Sequence, residues 1–510
     1  MMDRPLHRRE FLGVLGGATA AGAVFLLPRP VGDLFRPGEA EAALRGLSFP
    51  VNEPMARRIL AAARAGGADF ADLYCETRVV TKINLADGRI ESCEQGVYAG
   101  TGVCAMDGDR TGYAFADSFE EAPLLSAARD AATIASAGGW GRSALSFHRP
   151  SPGSIVRVRR PFDEVSVEER ISWLNRIDAA ARAADPAIQV VNLEYNDEML
   201  RFLVITADGA WAEDLLPNMY IRINVVALKS GRRGMGNERI SFRMGAEQMD
   251  GDTPEKGARE AARMALAMCD AGDAPAGEMP VVLGAGGGVL FHEAVGHGLE
   301  ADAVCRGTSM FAGRIGEMVA SDRVSVVDTG SLPNLRGSYN YDDEGQPPQR
   351  SVLIENGILR GFMNDRTTAR RLKVPRTGNG RRQSYRFPAI PRMSNTFLAE
   401  GTDTVEEIIR NTRSGLYARA LGGGEVDTTT GNFTFGILEA YRIENGQVGA
   451  PVRGATLVGN GPETMKRIDR VASDQKFWNG TCGKGQWVPV TSGAPTLRIS
   501  AMTVGGSGQA

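Results

Sequence analysis

The chain has 510 residues, 43% hydrophobic and 23% charged, which excludes bulk disorder and allows roughly two to four domains with sizeable cores. Lysine and arginine (58) nearly balance aspartate and glutamate (61), giving a formal charge of −3 that excludes a polybasic nucleic-acid binder. Six cysteines are too few for a disulfide scaffold, and 63 glycines without a collagen-like period point to turns and close backbone approaches.

Residues 1–42 read as an address. The apolar run over 11–27 falls short of the ~20 residues of a comfortable bilayer span and is softened by Gly13, Gly16, Gly17 and Gly22. Arg8 and Arg9 stand just before Phe11-Leu12, and Ala40-Glu41-Ala42 offers a small-x-small cleavage site. Together they predict a cleavable twin-arginine-type signal peptide. The mature protein is then expected in the periplasm or outside the cell, and in the cytoplasm if this segment is not a signal. No permanent membrane span is expected elsewhere.

In chain order, the apolar pattern predicts a helix over 53–65, stopped by Gly66-Gly67, then a strand over 72–85 and a hairpin from 97–106 and 111–115. A helix over 118–137 precedes a Gly/Ser/Pro-rich linker over 138–153, and another helix follows over 165–184. Strands over 189–195 and 200–206 are expected to meet at a polar turn, Asn196-Asp197, before a strand over 220–229 and a long helix over 253–269. A second linker is expected over 271–280, followed by short strands and two or three helices. No internal repeat is visible. This order is segregated α+β, with an N-terminal α+β part over 43–270 and a mainly β, metal-bearing C-terminal part over 271–510.

Four histidines occur, His7, His148, His292 and His297. The last two share the stretch Phe291-His292-Glu293-Ala294-Val295-Gly296-His297-Gly298. Two imidazoles around a glutamate suggest a zincin-like centre, in which histidines hold zinc and the carboxylate activates water. Histidines four apart on a helix lie about 40° from one another, whereas five apart they diverge by about 140°. The helix must therefore break, and Gly296 and Gly298 are expected to let it unwind. Glu300, Asp302, Cys305 and Cys482 are all candidates for a third ligand, and spacing does not choose among them. Cys75, Cys93, Cys104 and Cys269 read as buried small apolar residues.

The segment from His292 to Glu300 resembles the signature of the TldD half of the TldD/PmbA metallopeptidases. So do Gly378-Asn379-Gly380-Arg381-Arg382, Pro391-Arg392-Met393-Ser394-Asn395-Thr396, Gly422-Gly423-Gly424-Glu425-Val426-Asp427 and Gly480-Thr481-Cys482-Gly483-Lys484. The resemblance runs in order over about 71–506. It implies zinc held by His292, His297 and Cys482, Glu293 as general base, and unfolded or extended peptides as substrates. It also implies a homodimer, or a heterodimer with a PmbA-like subunit. PmbA-type members lack the ligands, which this chain keeps; the export signal departs from the cytosolic members. Another reading of the same residues is a metal-binding, non-catalytic partner or chaperone subunit. An older name for the family suggests a regulator of DNA topology, against which charge and signal both argue.

Gly284-Ala285-Gly286-Gly287-Gly288 suggests a phosphate loop, but no ribose-binding acid follows, and a close backbone approach is the simpler reading. The Gly378–Arg382 stretch could hold a substrate carboxylate, and Asp342-Asp343-Glu344 reads as an exposed acidic turn. A zinc deaminase is excluded because no Pro-Cys-x-x-Cys accompanies the His-Glu pair.

Overall fold

A computed structural model describes residues 49–135, 146–150, 155–427 and 429–506. The segment read as a signal peptide lies outside them, as does most of the linker expected over 138–153. Among the described residues no helix is long and apolar enough to cross a membrane.

Helix α1 (Glu53–Ala63) is capped by the Asn52 side chain, which accepts from the Met55 N–H. Strands β1 (Phe70–Ala86), β2 (Arg89–Asp107) and β3 (Arg110–Ala116) and helix α2 (Glu121–Ala135) follow. Then come α3 (Val167–Arg182), β4 (Ile188–Thr206), β5 (Trp211–Lys229), β6 (Arg232–Phe242) and α4 (Thr253–Cys269). The strands form one sheet in the order β3-β2-β1-β4-β5-β6, with β1 and β4 antiparallel at its centre.

Helix, three strands and helix thus occur twice, although no repeat is visible in the sequence. Ile59, Leu60 and Leu124 of α1 and α2 bury Leu73 and Val103 of one half-sheet, together with Leu203 from the end of β4. Leu174, Ile177 and Ala261 of α3 and α4 bury Leu193, Ile221 and Ile223 of the other. Each half uses a glycine in its last strand to bring the helix backbone close. A Cβ on Gly112 would lie 2.0 Å from Ala131 O, and one on Gly234 would lie 2.0 Å from Ala265 O. A packing rule repeats here, while the residues around it do not.

The turn expected at Asn196-Asp197 does not occur, because β4 runs unbroken through both residues. Asp197 is buried but paired: Arg170 Nε of α3 and Tyr195 OH each donate to its carboxylate at 2.5 Å. Arg170 Nη2 also donates to Phe162 O at 2.6 Å. A carboxylate is tolerated inside a covered strand when a cation reaches it, and the cation comes from another element.

The other face of the sheet packs Tyr74, Phe202 and Val204 against Tyr339, Tyr341 and Tyr385 of the C-terminal part. In that part Gly272–Asp273 and Gly277–Leu283 are strands where a linker is predicted. Gly277–Leu283 pairs with Ser414–Val426, and the pairing continues through Asn432–Glu444, Thr456–Asn460 and Leu497–Gly505 back to Gly277–Leu283. Five strands therefore close into a barrel, with Leu283, Leu416, Phe435, Leu457 and Leu497 in its core.

A second sheet includes Val326–Thr329, Asn395–Leu398, Trp487–Ala494 and the edge strand Lys476–Gly483. Helix α5 (Gly288–Ala294) leaves the barrel and lies on this sheet, where a Cβ on Gly288 would meet the Gly493 backbone at 2.6 Å. Four more short helices follow, α6 (Ala301–Cys305), α7 (Arg366–Leu372), α8 (Val405–Arg410) and α9 (Gly461–Lys466). One or two turns are too few for periodicity to reveal, so the sequence undercounts them. The whole is an α+β fold with a β-rich C-terminal part.

Replacing Asp197 by alanine leaves the Arg170 guanidinium buried without its counter-ion. We expect a stability loss of about 3–5 kcal/mol in denaturant unfolding. The Asp197→Ala, Arg170→Met double variant should lose less than the sum of the two singles.

Candidate metal centre

Helix α5 carries His292 and Glu293 and stops at Ala294. Val295 has φ −129° and ψ −47°, and a 3-10 turn over Gly296–Leu299 carries His297. The break brings the second imidazole back to the first, with ring centroids 5.6 Å apart. The helix unwinds there as expected, although neither Gly296 nor Gly298 has a positive φ. A Cβ on Gly296 would lie 2.4 Å from Met393 Sδ, and one on Gly298 would lie 3.0 Å from Phe311 Cδ2. They are small to admit neighbours rather than to free the backbone.

Cys482 reaches the histidines from the edge strand, its Sγ 3.2 Å from His297 Nε2. Glu293, with 31% of its side chain exposed, has Oε2 3.7 Å from His297 Nε2 and Oε1 4.0 Å from His292 Nε2. One donor atom from each of His292, Glu293, His297 and Cys482 lies within 4.8 Å of the others. Glu300 points to the far side of the imidazole, its Oε2 2.8 Å from His297 Nδ1. Asp302 accepts from Lys484 Nζ at 2.8 Å and from Arg306 Nη1 at 3.1 Å. Cys305, at the end of α6, stands outside the group of four.

Burial opposes a charge on Cys482, yet the imidazoles of His292 and His297 pull its thiol down to about 5. Burial also opposes a charge on His297, and Glu300 and Cys482 raise it to about 10. The metal-free pair is therefore thiolate and imidazolium. His292 is buried, and among the described residues neither of its ring nitrogens has a hydrogen-bond partner. A buried imidazole with free nitrogens beside a thiolate and a second imidazole fits a borderline-soft divalent metal.

Two sequence readings are corrected nearby. Arg381 donates to Met393 O at 2.7 Å, and Arg382 donates to Asp343 O at 2.8 Å; both side chains are buried, not open to a substrate carboxylate. Asp342 and Glu344 are buried as well, because backbone N–H groups turn toward them: Asp342 accepts from Gln346 and Gly380, and Glu344 from Arg366. Of the four cysteines read as apolar, Cys93 is exposed, while Cys75, Cys104 and Cys269 are buried.

Asp328 escapes sequence reasoning altogether. Its buried carboxylate accepts from Asn379 Nδ2 at 2.7 Å, Ser394 N at 2.8 Å, Ser394 Oγ at 2.7 Å and Thr396 Oγ1 at 2.6 Å. Two of the conspicuous motifs are thus held together by a residue outside both.

Three protein-family models match in order: PmbA/TldA metallopeptidase domain 1 over 71–135, the central domain over 160–268, and the C-terminal domain over 276–506. The chain is 41% identical over 449 residues to a Haemophilus influenzae protein named metalloprotease TldD homolog, covering 86% of this chain and 93% of that one. This chain belongs to the PmbA/TldD family. A Saccharolobus solfataricus member named zinc metalloprotease TldD homolog is 29% identical over 469 residues, covering 86% of this chain and 97% of that one. The family fold recurs in TldE from Thermococcus kodakarensis, with TM-score 0.70 at 20% identity over 88% of this chain and 99% of that one. It recurs too in a Thermotoga maritima protein provisionally described as a modulator of a DNA gyrase, with TM-score 0.74 at 21% identity over 89% of this chain and all of that one. The first two family models each cover one half of the duplicated six-stranded sheet.

Ultraviolet titration of the metal-free protein should show one thiolate lost as pH falls through about 5. The step should be missing from Cys482→Ala. A midpoint in the ordinary thiol range would refute the ion-paired site.

Proposed function

We propose that this chain is a zinc metallopeptidase that hydrolyses peptide bonds in unfolded or extended peptides, with His292, His297 and Cys482 as zinc ligands and Glu293 as general base. The observation that carries the reading is the convergence of four donor-bearing side chains, one of them a buried imidazole with no hydrogen-bond partner among the described residues. The metalloprotease names of the relatives support it. Zinc, when bound, would polarise a peptide carbonyl and acidify water.

The chain's own residues supply the rest. His297 is fixed through Nδ1, leaving Nε2 for the centre. Glu293 is the partly exposed member of the group, so its carboxylate can take a proton from water at Oε and return it to the leaving amine. Cys482 brings a negative charge that stays ionised at neutral pH.

Glu293→Gln should keep stoichiometric zinc and lose about 10²–10⁴-fold in turnover of an unstructured peptide. Cys482→Ser should lose zinc and turnover together, since a hydroxyl is a poor ligand. Zinc analysis beside peptide turnover checks both, and an active Glu293→Gln would remove the base assignment. A wild-type protein that binds zinc without cleaving any peptide would leave the non-catalytic partner reading. For assembly we propose a second copy or a PmbA-like subunit, a reading supported by the likeness to TldE.

We further propose that the protein is exported folded and metal-loaded by the twin-arginine route. A thiolate ligand must be kept reduced until the metal protects it, and the compartment beyond the membrane is oxidising. Replacing Arg8 and Arg9 by lysine should make active, zinc-loaded protein accumulate inside fractionated cells. Undiminished export would show that the pair is incidental.

A further inference from the structure

Every group facing the Glu300 carboxylate is a donor. His297 Nδ1 lies 2.8 Å from Oε2, Lys484 Nζ lies 2.9 Å from the same oxygen, Met393 N donates to Oε1 at 3.2 Å, and Arg392 Nε lies 3.4 Å from Oε1. Glu300 and Arg392 are fully buried. An acceptor-only carboxylate is the side chain that fits such a cage. With Glu300 accepting, His297 carries its proton on Nδ1, which leaves Nε2 as the coordinating nitrogen.

The two cations do more than neutralise Glu300. Lys484 lies two residues beyond Cys482 and spends its remaining donors on Asp302 at 2.8 Å and Pro391 O at 2.9 Å. Arg392 donates from Nη2 to Cys482 O at 2.8 Å and from Nη1 to Gln486 O at 2.7 Å, gripping the first arm of the hairpin and its turn. Glu300 thus binds the imidazole on one side and the cysteine hairpin on the other. The hairpin lies on an edge strand, and among the described residues no further strand pairs with its outer side.

We infer that Glu300 and Lys484 are positioning residues for the metal: their ion pair locks the His297 turn to the Cys482 hairpin, so that imidazole and thiolate stand in coordinating range before the metal arrives. This deepens the zinc-ligand reading above and rests on it. Removing such supporting partners elsewhere costs metal affinity about 10–100-fold.

The test uses the full chain with zinc alone and with cobalt(II) alone. Glu300→Gln places an amide N–H against donors, and Lys484→Met removes the cation while keeping most of the stem. Each should raise the zinc Kd about 10–100-fold and weaken or shift the thiolate-to-cobalt charge-transfer band. The double variant should lose less affinity than the product of the two singles, because one link is broken in both. A merely structural role would lower the unfolding midpoint of the metal-free chain and leave both the Kd and the band where they are. If Glu300→Gln does not fold, Lys484→Met decides, because its site is partly exposed. Unchanged zinc Kd and band in the folded variants would overturn the inference. Cys482→Ser keeps the two levels apart: zinc retained there sinks the ligand reading itself. Zinc lost there but kept in the Glu300 and Lys484 variants sinks only the positioning role.

Discussion

Two imidazoles five residues apart can face one point only if the helix between them ends. The local architecture around the centre enforces that ending from several sides. Met393 fills the space at Gly296, and Phe311 fills the space at Gly298. Gly461, at the start of α9, is so close to the last turn of α5 that a Cβ there would lie 2.2 Å from Ala294 O. Packing at interior density leaves a bend of this kind no second solution. The glycines therefore matter for what they admit, and a side chain at Gly296 or Gly298 would have to displace Met393 or Phe311.

How much of this was legible in the sequence depended on the range of the interaction that decides each feature. The helix over 253–269 coincides with α4, because an amphipathic stripe is a local property. The His292-Glu293-His297 cluster was equally local. Asp197 misled because its cation sits 27 residues away on α3, so a residue that is a strand position looks like a turn. Asp342-Asp343-Glu344 misled in the same way: three acids in a row look solvated until backbone N–H groups from elsewhere in the chain point at them.

The site itself divides along the same line. Spacing left four candidates for the third donor, and only the family resemblance favoured Cys482. Glu300 reads from spacing as a candidate ligand, whereas its carboxylate faces Met393 N, 93 residues on, and Lys484 beyond that. Asp328, which fastens two of the family motifs together, sits in neither of them and left no local signature. The duplicated half-sheets were invisible for a related reason. What the halves share is a close approach of helix to strand, which single glycines such as Gly112 and Gly234 mark.

The 185-residue separation between His297 and Cys482 has a consequence for the growing chain. At ~5–20 residues per second, a ribosome takes roughly 10–40 seconds to cross that interval. Throughout it, the nascent polypeptide displays two imidazoles and a carboxylate without the soft sulfur donor that would complete a thiolate site. A compact metal-nucleated domain selects its ion early, since binding and folding are one event. Here the ladder pairing Lys476–Gly483 with Trp487–Ala494 must form before all the donors meet. On the proposed ligand set, discrimination among metals falls to the finished tertiary structure, and an ion met during synthesis has only a partial set of donors to hold it.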